Sequence, residues 1–300
     1  MPVAAEDTLT RLSDAMAARA AAASGLVVCI HAAGSGPRSG ILWRNDVVVA
    51  SAQVFPKADR AEIVLTGGRR VAARIAGRDR GTNLVALRLE QPVEAGLPPA
   101  AEPRLGEIAL ALAAGAGGPT VRAGIVRSVG PAWQSLLGGR IDRRISLDLV
   151  ISRAEEGGPV VTASGGLLGM STAGPLGRAL VIPAATVERV LDPLLNAGRI
   201  DRGWLGVALH PVALPDAGKG EGGQDRGLMV MQIVQGGPAE KAGILAGDIL
   251  VAVDGAPASH PNAIARQFGP ESIGKAIECR LIRAGSPLVV AATVTARPAE

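Results

Sequence analysis

ISLDLVISRAEEGGPVVTASGGLLGM, residues 145–170, holds three short β-rich runs: ISLDLVI, GPVVT and the start of GLLGMSTA. A polar loop, Ser152 to Glu156, parts the first two, and a Gly165-Gly166 turn parts the next pair. The same texture extends outward in both directions. Upstream run LVVCIHA, SGILW, DVVVASAQV, EIVLT, RVAARIAG, NLVALRLE, EIALALA and VRAGIVRSV; downstream runs RALVIP. Asn45-Asp46, Gly67-Gly68, Gly117-Gly118-Pro119 and Gly138-Gly139 supply further turns. A dozen short strands at regular spacing predict a mostly β sandwich or barrel.

Helices flank this region. In residues 6–23, Leu9, Leu12, Met16 and Ala20 fall at helical spacing, and Asp7 or Thr8 caps the start. AATVERVLDPLLNAG, 184–198, reads as a helix closed by Asn196 and Gly198. A second domain opens with GWLGVALH near Gly203, followed by a Gly/Lys/Asp-rich loop over 215–227 and a strand, LMVMQIV. Pro238 opens a short helix, ILVAVDG is a strand ending in a tight turn, and 261–268 is helical. A hairpin turns around Ala284-Gly285-Ser286. The expected division is an N-terminal helix over 1–24, a β-rich domain over 25–200 and a compact domain over 203–300.

Composition narrows the function. At 300 residues the length suits two domains, at about 150 residues each. With 48% hydrophobic and 19% charged residues, the chain buries a sizeable core and is not disordered. Two cysteines cannot build a disulfide framework or a four-ligand zinc site, so no metal and no cofactor is expected. Aromatics at 2% and no tyrosine argue against base-stacking, and a net charge of +4 is small for a polyanion partner, so no nucleic acid is expected. No apolar run reaches about 18 residues, so no membrane span is expected. Glu6, Asp7, Arg11, Asp14 and Arg19 interrupt any signal-peptide core, which sets a cytoplasmic expectation with both thiols reduced.

From about Val27 to Ala296 the chain resembles the HtrA family of chymotrypsin-like serine proteases with a C-terminal PDZ domain. Five collinear stretches carry the resemblance: GSGPRSGILWRNDVVVASAQVF, GRDRGTNLVALRLE, VRAGIVRSVG, ISLDLVISRAEEGGPVVTASGGLLGM and VIPAATVERVLDPLLNAGRIDRGWLGV. It implies a double β-barrel followed by one PDZ domain. It also aligns Gln53 with the catalytic histidine, Asn83 with the orienting aspartate and Glu156 with the nucleophilic serine. Asp148 and Ile151 on one side, and Gly157-Gly158-Pro159 on the other, fix that register.

These replacements conflict with serine hydrolysis. Serine needs a base to take its proton, and a glutamine amide does not titrate near neutrality. Asparagine in place of the aspartate costs a trypsin-like triad about 10⁴-fold in turnover. A Glu156 carboxylate beside the oxyanion amides would repel a developing charge by roughly 4 kcal/mol at 4 Å. Ala154, where the family has glycine, alters the same loop. His31 and Cys29 lie in a predicted strand and read as an edge histidine and a small core residue. Ser51 and Ser152 read as structural serines without a base. Glu155 and Glu156 point apart, and Glu156 reads as an anion held by loop amides.

The second domain keeps its family features. The resemblance implies that Trp204, Leu205, Gly206 and Val207 receive a peptide C-terminus by β-augmentation. Ile264 and Phe268 are expected on the opposite wall, with His260 at the helix start. The expected function is an inactive protease-fold protein that binds peptide C-termini or exposed apolar segments as an adaptor, scaffold or chaperone-like holdase. One alternative is an active serine endopeptidase. Another is a structural subunit of mixed oligomers with active protease paralogues; apart from these readings, the resemblance implies a homotrimer or such a hetero-oligomer as the assembly. The family is commonly exported in bacteria, which stands against the cytoplasmic expectation.

Overall fold

The computed structural model describes residues 3–135, 137–214, 224–265 and 267–298. The greater part of the loop expected at 215–227, residues 215–223, lies outside them. The chain divides into two compact units, Met1–Trp133 with Ile141–Ile200, and Gln134–Arg140 with Asp201–Glu300.

The first unit holds two closed six-stranded barrels. Barrel one contains β1 (Val27–Ala32), β2 (Arg38–Arg44), β3 (Val47–Ser51), β4 (Arg60–Val64), β5 (Arg70–Asp79) and β6 (Leu84–Leu89). Their order around the barrel is β1-β2-β3-β6-β5-β4, all antiparallel. Barrel two contains β7 (Ile108–Gly115), β8 (Gly118–Gly130), β9 (Arg144–Val150), β10 (Pro159–Thr162), β11 (Leu167–Ala173) and β12 (Arg178–Pro183). Their order is β9-β12-β11-β10-β7-β8. Closure leaves neither sheet with a free edge. β-Branched and leucine side chains fill both interiors: Ile30, Val48, Ile63, Val85 and Leu87 in the first, Val126, Ile145, Leu147, Val160 and Val181 in the second.

Two helices brace the barrels. In α1 (Val3–Ser24), Met16, Ala20 and Ala23 pack against the core, whereas Leu9 and Leu12 stay exposed. In α2 (Ala184–Ala197), Val187, Val190, Leu191 and Leu194 recur every three or four residues and form the buried face. Gly198 ends it in the left-handed region (φ 73°), where its N–H returns to the Leu194 carbonyl. On the outer face, Arg44 binds Glu188 at 3.0 Å and Asp192 at 2.6 Å.

The second unit is built on one antiparallel sheet: β13 (Val207–Ala213), β14 (Arg226–Ile233), β15 (Ile249–Val253), β16 (Ala276–Arg283) and β17 (Ser286–Thr293), paired in that order. β13 is therefore an edge. The unit also holds α3 (Pro238–Lys241), α4 (Pro261–Ala265) and a short antiparallel pair of Gly203–Trp204 with Thr295–Ala296. The helix expected over 261–268 ends, as α4, at Ala265, short of Phe268. The expected hairpin turn is present: Ala284 (φ 47°) and Gly285 (φ 83°) are both left-handed, as a two-residue hairpin turn requires.

Candidate functional site

The three positions singled out in the sequence converge where loops of the two barrels meet. β3 ends at Ser51, which pairs with Leu84 at the start of β6. Gln53 and Asn83 therefore flank one end of the same strand pair. Asn83 sits at φ 60°, a conformation its side chain tolerates better than most. Its Oδ1 accepts the Gln53 N–H at 2.6 Å, and its carbonyl accepts the Ala52 N–H at 3.2 Å. Glu156 arrives from barrel two, on the loop before β10. That loop is tied to β11 by Gly157 N–H to the Ser171 carbonyl and by Ser171 N–H to the Gly158 carbonyl. Gly157 (φ 102°) and Gly158 are required there, because a Cβ would come within 2.5 Å of the Ser39 carbonyl oxygen and 1.9 Å of the Leu112 carbonyl oxygen.

Glu156 is fully buried, 0% exposed. Its Oε1 accepts from Ser51 Oγ at 2.7 Å, Thr172 Oγ1 at 2.8 Å and Asn83 Nδ2 at 3.3 Å. Its Oε2 accepts from Gln53 Nε2 at 3.3 Å. The same Gln53 amide also donates to the Ala173 carbonyl at 3.2 Å, and Asn83 Nδ2 donates to Thr172 Oγ1 at 2.7 Å. A carboxylate is acceptor-only, and this shell is made of donors. Among the described residues, no histidine or lysine is hydrogen-bonded to Gln53, Asn83, Ser51 or Glu156.

Two details differ from the expectations. The donors to Glu156 are side chains of three separate segments, not amides of its own loop. The loop N–H groups turn inward instead, Glu155 and Glu156 both donating to the Ser152 carbonyl at 3.1 and 3.2 Å. In addition, Ser51 does have a carboxyl within reach. Both it and Glu156 are shut away from solvent, with Ser51 only 1% exposed. Ser51 and Thr172 were not legible as Glu156 partners, because strand alternation reports burial and not which buried hydroxyls meet.

Glu155 points the other way, as expected, and pairs with Arg122 of β8. Burial pushes its carboxyl up, but the Arg122 guanidinium and the Ser152 N–H outweigh burial and hold it below the ordinary range.

In the second unit, Leu205, Ile264 and Phe268 are buried together in the core, with Val207 packed at its margin. Trp204 is half-buried, and its ring lies 3.1 Å from the position a Cβ on Gly206 would take. The Gly206 carbonyl accepts the Val234 N–H. By antiparallel alternation, the next peptide groups, those of Val207, face the open edge of β13. His260 precedes α4 and His210 lies on β13, so neither belongs to the first unit.

Residues 38–170 match the family model of the trypsin-like peptidase domain, and residues 229–267 match that of the PDZ domain. The chain has a trypsin-like fold and a PDZ domain and is similar to HtrA/DegP-type proteases. It is 30% identical to a probable periplasmic serine endoprotease DegP-like of Brucella suis, over 86% of this chain and 52% of the relative. It is also 30% identical to the DegP-like endoprotease of Rhizobium meliloti, over 90% of this chain and 54% of the relative. A solved HtrA-type protease, AlgW with a tripeptide, superposes with a TM-score of 0.70 at 27% identity, covering 94% of this chain and 98% of that one. The chain spans about half the length of the curated relatives it matches.

The relatives' names correct the cytoplasmic expectation, for they are described as periplasmic. That expectation rested on the charged composition of residues 1–25. α1 uses this stretch to pack Met16, Ala20 and Ala23 onto the barrels, so its charged composition reflects folding and is no guide to location.

Proposed function

We propose that this chain is a periplasmic peptide-binding protein on a protease scaffold, without serine-hydrolase chemistry at the junction of its barrels. One observation carries the reading: the position of the nucleophile holds a buried carboxyl that accepts from Ser51, Asn83, Thr172 and Gln53. Hydrolysis by this fold needs a nucleophile with an adjacent base and free amides for the oxyanion. Here Gln53 supplies no base, and the Glu156 N–H is spent on Ser152. The network fastens the barrels together in place of turning over substrate.

Binding is assigned to the second unit. The open edge of β13 offers main-chain groups at Val207 for an added peptide strand, beside a core in which Leu205, Ile264 and Phe268 are buried. The solved relative bound to a tripeptide supports peptides as the ligand class.

A second reading, an active serine endopeptidase, is favoured by the names of the relatives. It would have to use Ser51 beside Glu156, both of them buried. A fluorophosphonate serine probe separates the two readings. The peptide-binding reading expects no label on the native chain, and stoichiometric labelling at a single serine supports the endopeptidase.

A further inference from the structure

Away from the buried network, the first unit has a cleft of about 710 Å³ between barrel one and the β7–β8 hairpin. Val27, Cys29 and His31 of β1, together with Val64 and Leu65, line one side; residues 114–119 of the hairpin line the other, and Ala154 closes one end. Cys29 and His31 are two residues apart on one strand and share a face. The expectation that Cys29 is a plain core residue does not hold. It is half-buried and lines the cleft, with its Sγ 3.4 Å from His31 Nε2.

We infer that Cys29 and His31 form a thiol–disulfide exchange site for small disulfides that enter this cleft. The volume falls in the range of about 300–1,000 Å³ that suits ligands from drug to tripeptide size. Glu62 lies across from His31, and Arg70 lies across from Val64, which in turn pairs with Cys29; the two charges bind each other at 2.6 Å. The hairpin wall, Ala114 to Pro119, carries no titratable side chain. Among the described residues no set of three or more His, Cys, Asp or Glu is placed to hold a metal, so a soft ion would be only half-ligated here. In the periplasm proposed above, disulfides are the natural reactants for a free thiol. The inference takes only that compartment from the proposed function; its geometry is independent of Glu156 and of peptide binding.

The exchange balances without a further oxidant. His31 Nε2 takes the proton of the Cys29 thiol, and the thiolate attacks one sulfur of R–S–S–R. The Cys29–S–R bond forms as the reagent's S–S bond breaks, and the departing thiolate receives the proton from the imidazolium. The Cys29 sulfur is oxidised and the departing sulfur reduced. Burial pushes the Cys29 thiol up, which works against the thiolate, so the exchange needs a group at the sulfur to take the proton.

The test is mass spectrometry of the intact native chain after incubation with oxidised glutathione. The expected product carries one glutathionyl group, on Cys29, and none on Cys279, which is 0% exposed with its thiol pushed up to about 11. His31→Gln should slow the reaction by about 10²-fold, and added imidazole should restore part of the rate. Ala116→Trp, on the exposed hairpin turn, should slow oxidised glutathione several-fold and leave methyl methanethiosulfonate unaffected. The inference is overturned if the native chain stays unmodified while the unfolded chain reacts at both cysteines. It is equally overturned if His31→Gln reacts at the wild-type rate, or if Ala116→Trp slows both reagents alike or neither.

Discussion

Glu156 sets two acceptor oxygens among four donors drawn from β3, β11 and the segments around Gln53 and Asn83. Deleting the carboxyl leaves the buried Thr172 hydroxyl proton without its acceptor, while Ser51, Asn83 and Gln53 each keep a second partner. Glu156→Ala is therefore expected to lower stability by about 1–3 kcal/mol, read as a shift in the urea midpoint at neutral pH. Replacement by serine alone should restore no hydrolysis, since Gln53 offers no base. Asp248 is the corresponding buried acid of the second unit. Hydrogen bonding to Arg283 at 2.8 Å, helped by the Leu245 N–H and opposed by burial, holds its carboxyl below the ordinary range. The unfolded chain then binds this proton at higher pH than the folded chain does. The contribution is complete above about pH 4 and disappears as pH falls through the depressed folded value. Calorimetry should show Asp248→Asn less stable than wild type at pH 7, with the gap narrowing in acid.

Among elements, β13 carries the binding hypothesis. Its inner neighbour is β14, and its outer edge is unpaired within the sheet. Val207→Pro removes an N–H that faces this edge and spares the β14 ladder. It should abolish saturable binding of fluorescent peptides with apolar C-termini to the full chain, leaving the melting profile close to wild type. Leu205 is a poor probe of the groove, because it is buried in the core and a charge there would unfold the unit. Elements were also the most legible level of the sequence. Gly198 closes α2, Pro238 opens α3, and Ala284-Gly285 turns the last hairpin because each residue's backbone preference is local. Cys29 and Ser51 show where local reading stops. Alternation along β1 predicts a core cysteine, but a cleft opens between its barrel and a hairpin almost ninety positions later in the chain. The contact of Ser51 with Glu156 spans 105 positions, and only barrel closure brings the two together.

At the scale of the whole molecule, a trypsin-like domain precedes a PDZ domain, and under the proposed function the residues at the barrel junction serve cohesion in place of proton transfer. The scaffold around them is intact: both barrels close, and Gly157-Gly158 still packs against Ser39 and Leu112. Restoring Gln53→His, Asn83→Asp and Glu156→Ser together is therefore expected to yield a measurable, low level of peptide hydrolysis, limited by Ala154 and by the inward-turned loop amides. The most direct measurement is turnover of fluorescent casein by the purified wild-type chain. The account predicts a rate equal to the buffer blank and unchanged by Ser51→Ala. Cleavage well above the blank that vanishes in Ser51→Ala would contradict it.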